Sequence, residues 1–231
     1  MTKLEAHTDA CYPHAMSAFT TLIDGFRRFR AGEYQDQRRR FDALATQGQF
    51  PKLLIIACSD SRVDPSRVFD VDPGQIFVVR NVANLVPPYE TSPGFHGASA
   101  AIEFAVTQLE VEYIVVLGHA QCGGIQAALS GKFDGAAPGE GGFIAHWMSM
   151  IDPARDAVRA AAATHPDIDP QKLLERAAIR LSLENLRSFP FIAQRVEAGT
   201  LQLRGAIFGI ADGTLQVLDE TNGHFETVPI G

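Results

Sequence analysis

Short runs of apolar, largely β-branched residues recur along this chain without the polar alternation of a half-exposed strand. They are KLLIIA at 52–57, QIFVV at 75–79, YIVVLG at 113–118 and LRGAIFGI at 203–210. Such continuous runs are typical of strands buried on both faces, which occur mainly in parallel sheets covered by helices. A further run, TLQVLD at 214–219, follows a turn at Asp212 and Gly213 and predicts an antiparallel edge strand. The runs therefore predict an α/β fold with a mostly parallel central sheet of about four strands, one antiparallel edge strand and flanking helices.

The segments around these runs have helical periodicity. Between residues 16 and 47, apolar side chains recur at helical spacing on either side of Gly32, which predicts two amphipathic helices. GASAAIEFAVTQL at 97–109 predicts a crossover helix, and the alanine-rich span 141–200 predicts three or four more. Because we find no internal repeat and no long linker, we interpret residues 1–231 as one domain. An N-terminal helical arm (1–48) precedes an α/β core (49–231).

Charge and cysteine content narrow the possible partners and the compartment. The formal net charge of −7 and the pI near 5.5 argue against nucleic-acid and membrane partners, which attract clustered Lys and Arg. No apolar stretch approaches the roughly 20 residues that span a bilayer, and acidic residues stand where a signal peptide needs its apolar core, so we expect a cytoplasmic protein. Three scattered cysteines, Cys11, Cys58 and Cys122, do not form a disulfide framework, which favours reduced thiols with a metal or catalytic role.

Two clusters of reactive side chains follow predicted strands. CSDSR at 58–62 comes directly after the first strand, and GHAQCGG at 118–124 comes directly after the third. Ligands of open parallel sheets bind beyond the carboxyl ends of the strands, so the two clusters are expected to meet. Two thiolates and one imidazole suit Zn²⁺, with a fourth position left for water or a carboxylate. Taken singly, Cys58 could be a core thiol, and Asp60 with Arg62 a surface ion pair, but their joint placement favours a metal site.

These clusters and the blocks around them resemble the β-class carbonic anhydrases. PKLLIIACSDSRV, DPGQIFVVRNVANLVPP, AAIEFAV and GHAQCGGI are similar to consecutive blocks of that family over roughly residues 47–130, and FGIADGTLQVLD is similar to its final strands. The resemblance implies reversible hydration of CO₂ by a zinc-activated water molecule, with one zinc ion per subunit. By the same resemblance, the zinc ligands are Cys58, His119 and Cys122, and the catalytic dyad is Asp60 and Arg62.

The resemblance also implies a substrate pocket and an oligomer. The pocket-lining positions that it carries over are Gln49, Phe77, Val82, Phe104 and Gly123. Phe104 stands where plant-like members often have Tyr, and the backbone amide of Gly123 is expected to face bicarbonate. Part of the pocket comes from a partner subunit in these relatives, so a homodimer or homotetramer is expected. Ile55 stands where bicarbonate-regulated bacterial members have Trp, which implies the plant-like subgroup without that regulation.

Two other functions stay open at this stage. Relatives that hydrolyse carbonyl sulfide or carbon disulfide share the ligand set, and the shape of the pocket, which the sequence does not reveal, would decide between the substrates. The chain could also be a non-catalytic zinc or thiol-switch protein in which Cys58 and Cys122 pair under oxidation. The presence of Asp60 and Arg62 favours catalysis, because a structural zinc site has no use for them. Cys11 matches neither motif and is interpreted as a free thiol.

Overall fold

A six-stranded sheet organises the larger of two units in the computed structural model, which describes residues 17–230. This unit begins at Gln49. Its strands are β1 (Leu53–Cys58), β2 (Ile76–Asn81), β3 (Tyr113–His119), β4 (Gln202–Phe208), β5 (Leu215–Asp219) and β6 (His224–Thr227). Their order across the sheet is β2-β1-β3-β4-β5-β6. The first four are parallel, while β5 and β6 are each antiparallel to their neighbour. The predicted fold class is confirmed, and β6 is a further edge strand that the sequence did not predict.

Helices connect and cover the strands of this unit. They are α4 (Pro65–Val68), α5 (Gly97–Glu103), α6 (Gly123–Ser130), α7 (Gly142–Met148), α8 (Asp152–Thr164), α9 (Pro170–Arg187) and α10 (Pro190–Glu197). A π-helical turn at Phe104–Gln108 continues α5, so the predicted crossover helix is present with an irregular second half. The span 141–200 contains four α-helices, as predicted.

Both faces of the sheet carry apolar side chains, which explains why the sequence shows no alternation. Leu54 and Ile56 of β1 belong to the main core cluster with Ile179 and Leu183 of α9. Ile55, between them, points to the opposite face, where a cavity of about 660 Å³ lies over the sheet. Burial on this scale stabilises the fold by about 25 cal/mol per Å² of apolar surface removed from water.

Glycine brings α9 unusually close to the sheet. A Cβ atom on Gly118 of β3 would lie 2.8 Å from Ile179 Cδ1, and one on Gly205 of β4 would lie 2.8 Å from Ile179 Cγ2. Any larger residue would force the Ile179 side chain, or α9 with it, to shift. This close packing places the amino-terminal half of α9 beside the loop that follows β3.

The other unit ends at Gly48 and consists of helices. They are α1 (Ala18–Ala31), α2 (Glu33–Asp36) and α3 (Arg38–Gln47). The sequence predicted two helices, and the second is divided at Gln37. The rings of Phe29, Tyr34 and Phe41 pack against one another, two pairs edge-to-face and one tilted, with centroids 4.9–6.0 Å apart. In contrast, Phe19 and Leu22 of α1 are 71% and 70% exposed. None of the helices within residues 17–230 is long and apolar enough to cross a membrane.

Candidate metal centre

Two neighbouring parallel strands end in potential metal ligands. Cys58 is the last residue of β1 and His119 is the last residue of β3. Because β1 pairs with β3 in parallel, both residues lie at the carboxyl ends of their strands, which is the same end of the sheet. Cys122 follows three residues later, at the N-cap of α6. Gln121 turns the chain between them with a φ of 57°, and this left-handed residue lets the short loop bring Cys122 back to His119.

The three predicted ligands converge on one point. Their ligand atoms all lie within 4.8 Å of one another, and the Sγ atoms of Cys58 and Cys122 are 3.9 Å apart. The three side chains are buried. His119 Nδ1 lies 2.9 Å from the carbonyl oxygen of Ala120 and donates to it, which leaves Nε2 as the atom that can bind a metal ion. His119 Nε2 is buried and has no hydrogen-bond partner among the described residues.

A zinc ion fits this donor set. Two sulfurs bound at about 2.3 Å in a tetrahedral arrangement lie about 3.8 Å apart, which matches the observed separation of 3.9 Å. An unpartnered buried nitrogen is costly unless something binds it, and His119 Nε2 faces the two sulfurs. Two thiolates and one imidazole leave a fourth tetrahedral position for water, as in catalytic zinc sites. The residues present therefore suit zinc without rearrangement.

The two thiols share one proton when no cation is near. The hydrogen bond between the sulfurs lowers the pKa of Cys58, to which the proximity of His119 also contributes. The same hydrogen bond, with burial, raises the pKa of Cys122. One thiolate is thus stabilised at this site, whereas a second thiolate is unfavourable, because two negative charges would be buried close together. A bound divalent cation offsets this repulsion and allows both sulfurs to be thiolates.

Asp60 and Arg62 form a two-pronged ion pair at the rim of the ligand cluster. Arg62 donates from Nε to Asp60 Oδ1 at 2.9 Å and from Nη2 to Oδ2 at 2.7 Å. Its backbone N–H also donates to Oδ1, at 3.0 Å. These bonds hold the pKa of Asp60 well below its usual range, despite partial desolvation. Asp60 Oδ2 lies 3.9 Å from His119 Nε2, so an ionised carboxylate stands beside the ligand atoms.

Arg62 also joins the two loops. Besides its bonds to Asp60, its Nη2 donates to the carbonyl oxygen of Gln121 at 3.0 Å. That carbonyl belongs to the left-handed residue immediately before Cys122. The Arg62 guanidinium therefore links the loop after β1 to the loop after β3 by hydrogen bonds, independently of a bound metal ion.

The predicted pocket residues separate into two groups. Val82 and Gly123 line one cavity of about 480 Å³, which opens beside the start of α6. Phe77 of β2 and Phe104 instead stack on each other, with ring centroids 5.9 Å apart, and Phe104 is 46% exposed. Gln49 is exposed at the start of the larger unit. These last three residues do not line the cavity at Gly123.

Several residues that surround the site were not identified from the sequence. Glu175 and Gln171 of α9 bind the backbone of Cys122: its N–H donates to Glu175 Oε1 at 3.0 Å, and Gln171 Nε2 donates to its carbonyl oxygen at 3.0 Å. Burial raises the pKa of Glu175. Trp147 of α7 also donates from Nε1 to the Val82 carbonyl at 2.8 Å. No motif marks these residues, since each acts on a distant backbone group.

Comparison with known proteins yields one family. The family model for carbonic anhydrase matches residues 53–215. Beta carbonic anhydrase 3 of Arabidopsis thaliana is 34% identical over 227 residues, which cover 98% of this chain and 86% of the relative. Beta carbonic anhydrase 5, chloroplastic, from the same plant is 40% identical over 199 residues, which cover 86% of this chain and 64% of the relative.

Solved structures agree with these matches. The β-carbonic anhydrase CcaA superposes with a TM-score of 0.80 at 31% identity, over 92% of each chain. A chain from the crystal structures of two tetrameric β-carbonic anhydrases of Sordaria macrospora gives a TM-score of 0.70 at 30% identity, over 87% of this chain and 96% of that one.

Proposed function

Because this chain belongs to the carbonic anhydrase family, and within it to the β class, we propose that it hydrates CO₂ reversibly at a zinc ion held by Cys58, His119 and Cys122. The products are bicarbonate and a proton. Zinc is the cofactor of this class, and we assign one ion to each subunit. The observation that supports the ligand assignment is the convergence of two buried sulfurs and an unpartnered buried nitrogen within 4.8 Å.

Asp60 is proposed to orient the attacking water. Zinc, when bound, supplies the Lewis acidity that makes water a nucleophile near neutral pH. The Asp60 carboxylate is ionised, because Arg62 holds its pKa low, so it accepts a hydrogen bond from this water and cannot donate one. Accepting that hydrogen bond would let Asp60 aim an oxygen lone pair of the water at the carbon of CO₂. The position of Asp60 Oδ2 next to His119 supports this role.

Arg62 is proposed to keep Asp60 available for this task. A free carboxylate next to two thiolates and a cation could turn towards the cation and displace the water. The paired bonds from Arg62 occupy one edge of the carboxylate and fix its plane, which a single hydrogen bond would not do. The bond from Arg62 to Gln121 further fixes the carboxylate relative to the loop of Cys122.

The pocket is proposed to form partly from a second subunit. CO₂ is small and apolar, and Val82 and Gly123 line a cavity at the start of α6, whose N-cap is the ligand Cys122. Gln49, Phe77 and Phe104 lie outside that cavity, and two of them are exposed, so we propose that they complete the pocket of a neighbouring copy. Gly123 is proposed to present its backbone N–H to bicarbonate.

A homodimer or homotetramer is proposed on three grounds. The Sordaria macrospora relatives are tetrameric. Phe19, Leu22 and Phe26 of α1 are exposed, and the cavity of about 660 Å³ on the sheet is lined mostly by apolar residues. Exposed apolar surface of this kind is typical of an interface between copies. Light scattering coupled to gel filtration should give an even multiple of the 25.1 kDa chain; a monomer at micromolar concentration would contradict this proposal.

The plant-like subgroup and the compartment are also proposals. Ile55 is buried against the sheet face, where Trp would characterise a bicarbonate-regulated member. We therefore expect no cooperative, bicarbonate-dependent loss of activity at low pH. The cytoplasmic location stays a prediction, since one relative is named as chloroplastic.

The substrate is tested on a single purified sample. Turnover of CO₂, carbonyl sulfide and carbon disulfide is measured with zinc content determined on the same preparation. The proposal predicts that CO₂ hydration is by far the fastest of the three. Faster hydrolysis of a sulfur compound would instead assign that substrate. Zinc binding with no turnover of any of them would favour a structural or thiol-switch role.

A further inference from the structure

Arg80 is enclosed by the loop that carries Cys58, Asp60 and Arg62. It lies on β2, opposite Ala57 of the neighbouring strand. Its side chain reaches past the end of β1 and is 28% exposed. Although Arg80 stands 22 residues after Cys58 in the chain, all of its side-chain hydrogen bonds that the structure gives go to this one loop.

The three bonds of Arg80 bind the loop at its start, middle and end. Nε donates to the carbonyl oxygen of Cys58 at 3.0 Å, and Nη2 donates to the carbonyl oxygen of Asp60 at 2.7 Å. Nη1 donates to Asp64 Oδ2 at 3.0 Å. The other carboxylate oxygen of Asp64 accepts the backbone N–H of Ser66 and so caps α4. One planar cation is thereby fixed between the end of a strand and the start of a helix.

Apart from the bonds of Arg62, few hydrogen bonds define the shape of this loop. Residues 59–64 form neither helix nor strand. The backbone bonds within or onto this segment include Ser59 N–H to the Asn81 carbonyl at 2.8 Å and Val63 N–H to the Asp60 carbonyl at 3.2 Å. Hydrogen bonds to a charged group are stronger than those between neutral groups, so the three bonds from Arg80 add to the rigidity that Arg62 gives the loop.

We infer that Arg80 is a positioning residue for the metal centre, which fixes the backbone of Cys58 and Asp60 so that the sulfur and the orienting carboxylate keep one mutual arrangement. This inference rests on the proposed function. Arg80 does not touch the ligand atoms in the structure; it acts through the carbonyl groups of the two residues. A planar guanidinium is required, since three acceptors lie around it, and an ammonium group concentrates its donors at one point.

The chain provides a matched control for this inference. Arg195 of α10 also binds backbone carbonyls: Nη1 donates to Val106 at 2.9 Å and Nη2 donates to Thr200 at 3.0 Å. It lies beside the start of β4, at the edge of the sheet opposite the metal centre. Arg195→Lys therefore removes the same kind of backbone clamp without touching the loop of Cys58. An effect that both variants share therefore reflects a change in overall protein stability and not a change at the metal centre.

The test compares Arg80→Lys with Arg195→Lys in the zinc-loaded full chain. We expect Arg80→Lys to lower kcat or zinc affinity by about 10- to 100-fold, as is common for residues that orient metal ligands, with KM for CO₂ little changed. The visible spectrum of the cobalt-substituted protein should shift in Arg80→Lys and not in Arg195→Lys. Wild-type kinetics, zinc affinity and cobalt spectrum in Arg80→Lys would overturn the inference.

A second comparison addresses the orienting role itself. If Arg80 acts by orienting Asp60, the fold-loss of kcat in the double variant Arg80→Lys/Asp60→Asn should be much smaller than the product of the two single-variant losses. Independent, multiplying losses would contradict a role through Asp60. If Arg80→Lys does not fold, Asp64→Asn serves instead, because Asn still caps α4 while the charge that holds Arg80 is removed. A smaller loss in the same direction is expected from it, and unchanged kinetics and zinc affinity would count against the inference.

Failure of this inference is distinguishable from failure of the proposed function. A wild-type chain that binds zinc but does not hydrate CO₂ contradicts the function. An active wild type, with Arg80→Lys indistinguishable from Arg195→Lys, contradicts only the role of Arg80.

Discussion

The sulfur atoms of Cys58 and Cys122 lie 3.9 Å apart, although the two cysteines are 64 positions apart in the chain. This proximity results from the parallel pairing of β1 with β3, which brings two loops to one edge of the sheet. Without a cation the two sulfurs can share only one negative charge favourably. The arrangement of the strands thus creates a site whose charge is balanced by a divalent metal ion.

Replacing one sulfur should remove the metal. We expect Cys58→Ser to bind much less than one zinc ion per chain and to lose CO₂ hydration, because a serine hydroxyl is a poor zinc ligand. Zinc content by atomic spectroscopy and stopped-flow hydration on the same sample measure both effects. Cys11→Ser is the control: Cys11 lies outside the described residues and matches neither motif, so full zinc content and activity are expected. Full zinc occupancy in Cys58→Ser would contradict the ligand assignment.

Asp60→Asn should separate metal binding from catalysis. The amide keeps nearly the same shape but loses the charge and one acceptor, so we expect zinc to be retained and kcat to fall by about 10²- to 10⁴-fold. Asp167→Asn, at an exposed position after α8, is the control and should have wild-type kinetics. If kcat changed less than about threefold in Asp60→Asn, Asp60 would have no role in orienting the nucleophile.

Zinc affinity should rise with pH. Cys122 keeps its proton in the metal-free chain, since its hydrogen bond to Cys58 and its burial raise its pKa, and zinc must displace that proton. Raising the pH favours the deprotonated thiol and therefore the metal-bound chain. The apparent association constant should increase about tenfold per pH unit for each proton released. Competition with a chelator of known affinity, repeated between about pH 6.5 and 8.5, measures this slope; an affinity independent of pH would show that no proton is displaced.

Gly118→Ala should destabilise the fold. Its new Cβ atom would lie 2.8 Å from Ile179 Cδ1, so the fully buried Ile179 side chain, or α9 with it, must shift. Overpacking of this kind lowers the free energy of unfolding by about 1–3 kcal/mol. Gly97→Ala, where no atom lies within 4 Å of the new Cβ, should leave stability unchanged or raise it by up to about 1 kcal/mol. Urea unfolding of both variants gives the comparison, and equal stabilities would show that the close packing has no energetic consequence.

Much of the fold could be predicted from the sequence, because the patterns that mark its strands and helices are local. The apolar runs predicted β1 to β5, and the reactive residues at the ends of two runs predicted a metal site at the carboxyl edge of the sheet. β6 was missed because it is a four-residue, largely exposed edge strand. The π-helical turn at Phe104–Gln108 was missed because its sequence has the same periodicity as the helix it continues.

The residues that surround the site were harder to predict from the sequence. Arg80, Gln171 and Glu175 bind backbone groups that are distant in the chain, and such bonds leave no pattern in the spacing of residues. The pocket positions came from the family resemblance alone. They stay predictions, because a single chain contains none of the contacts that a second copy would add.

The most direct test of the account is a zinc titration of the metal-free chain, with CO₂ hydration followed by stopped flow at each step. We predict that activity is absent without zinc, rises in proportion to the zinc bound and reaches its maximum at one ion per chain. A folded, metal-free preparation that hydrates CO₂ at the full rate, or a chain saturated with zinc that does not hydrate CO₂, would contradict the account.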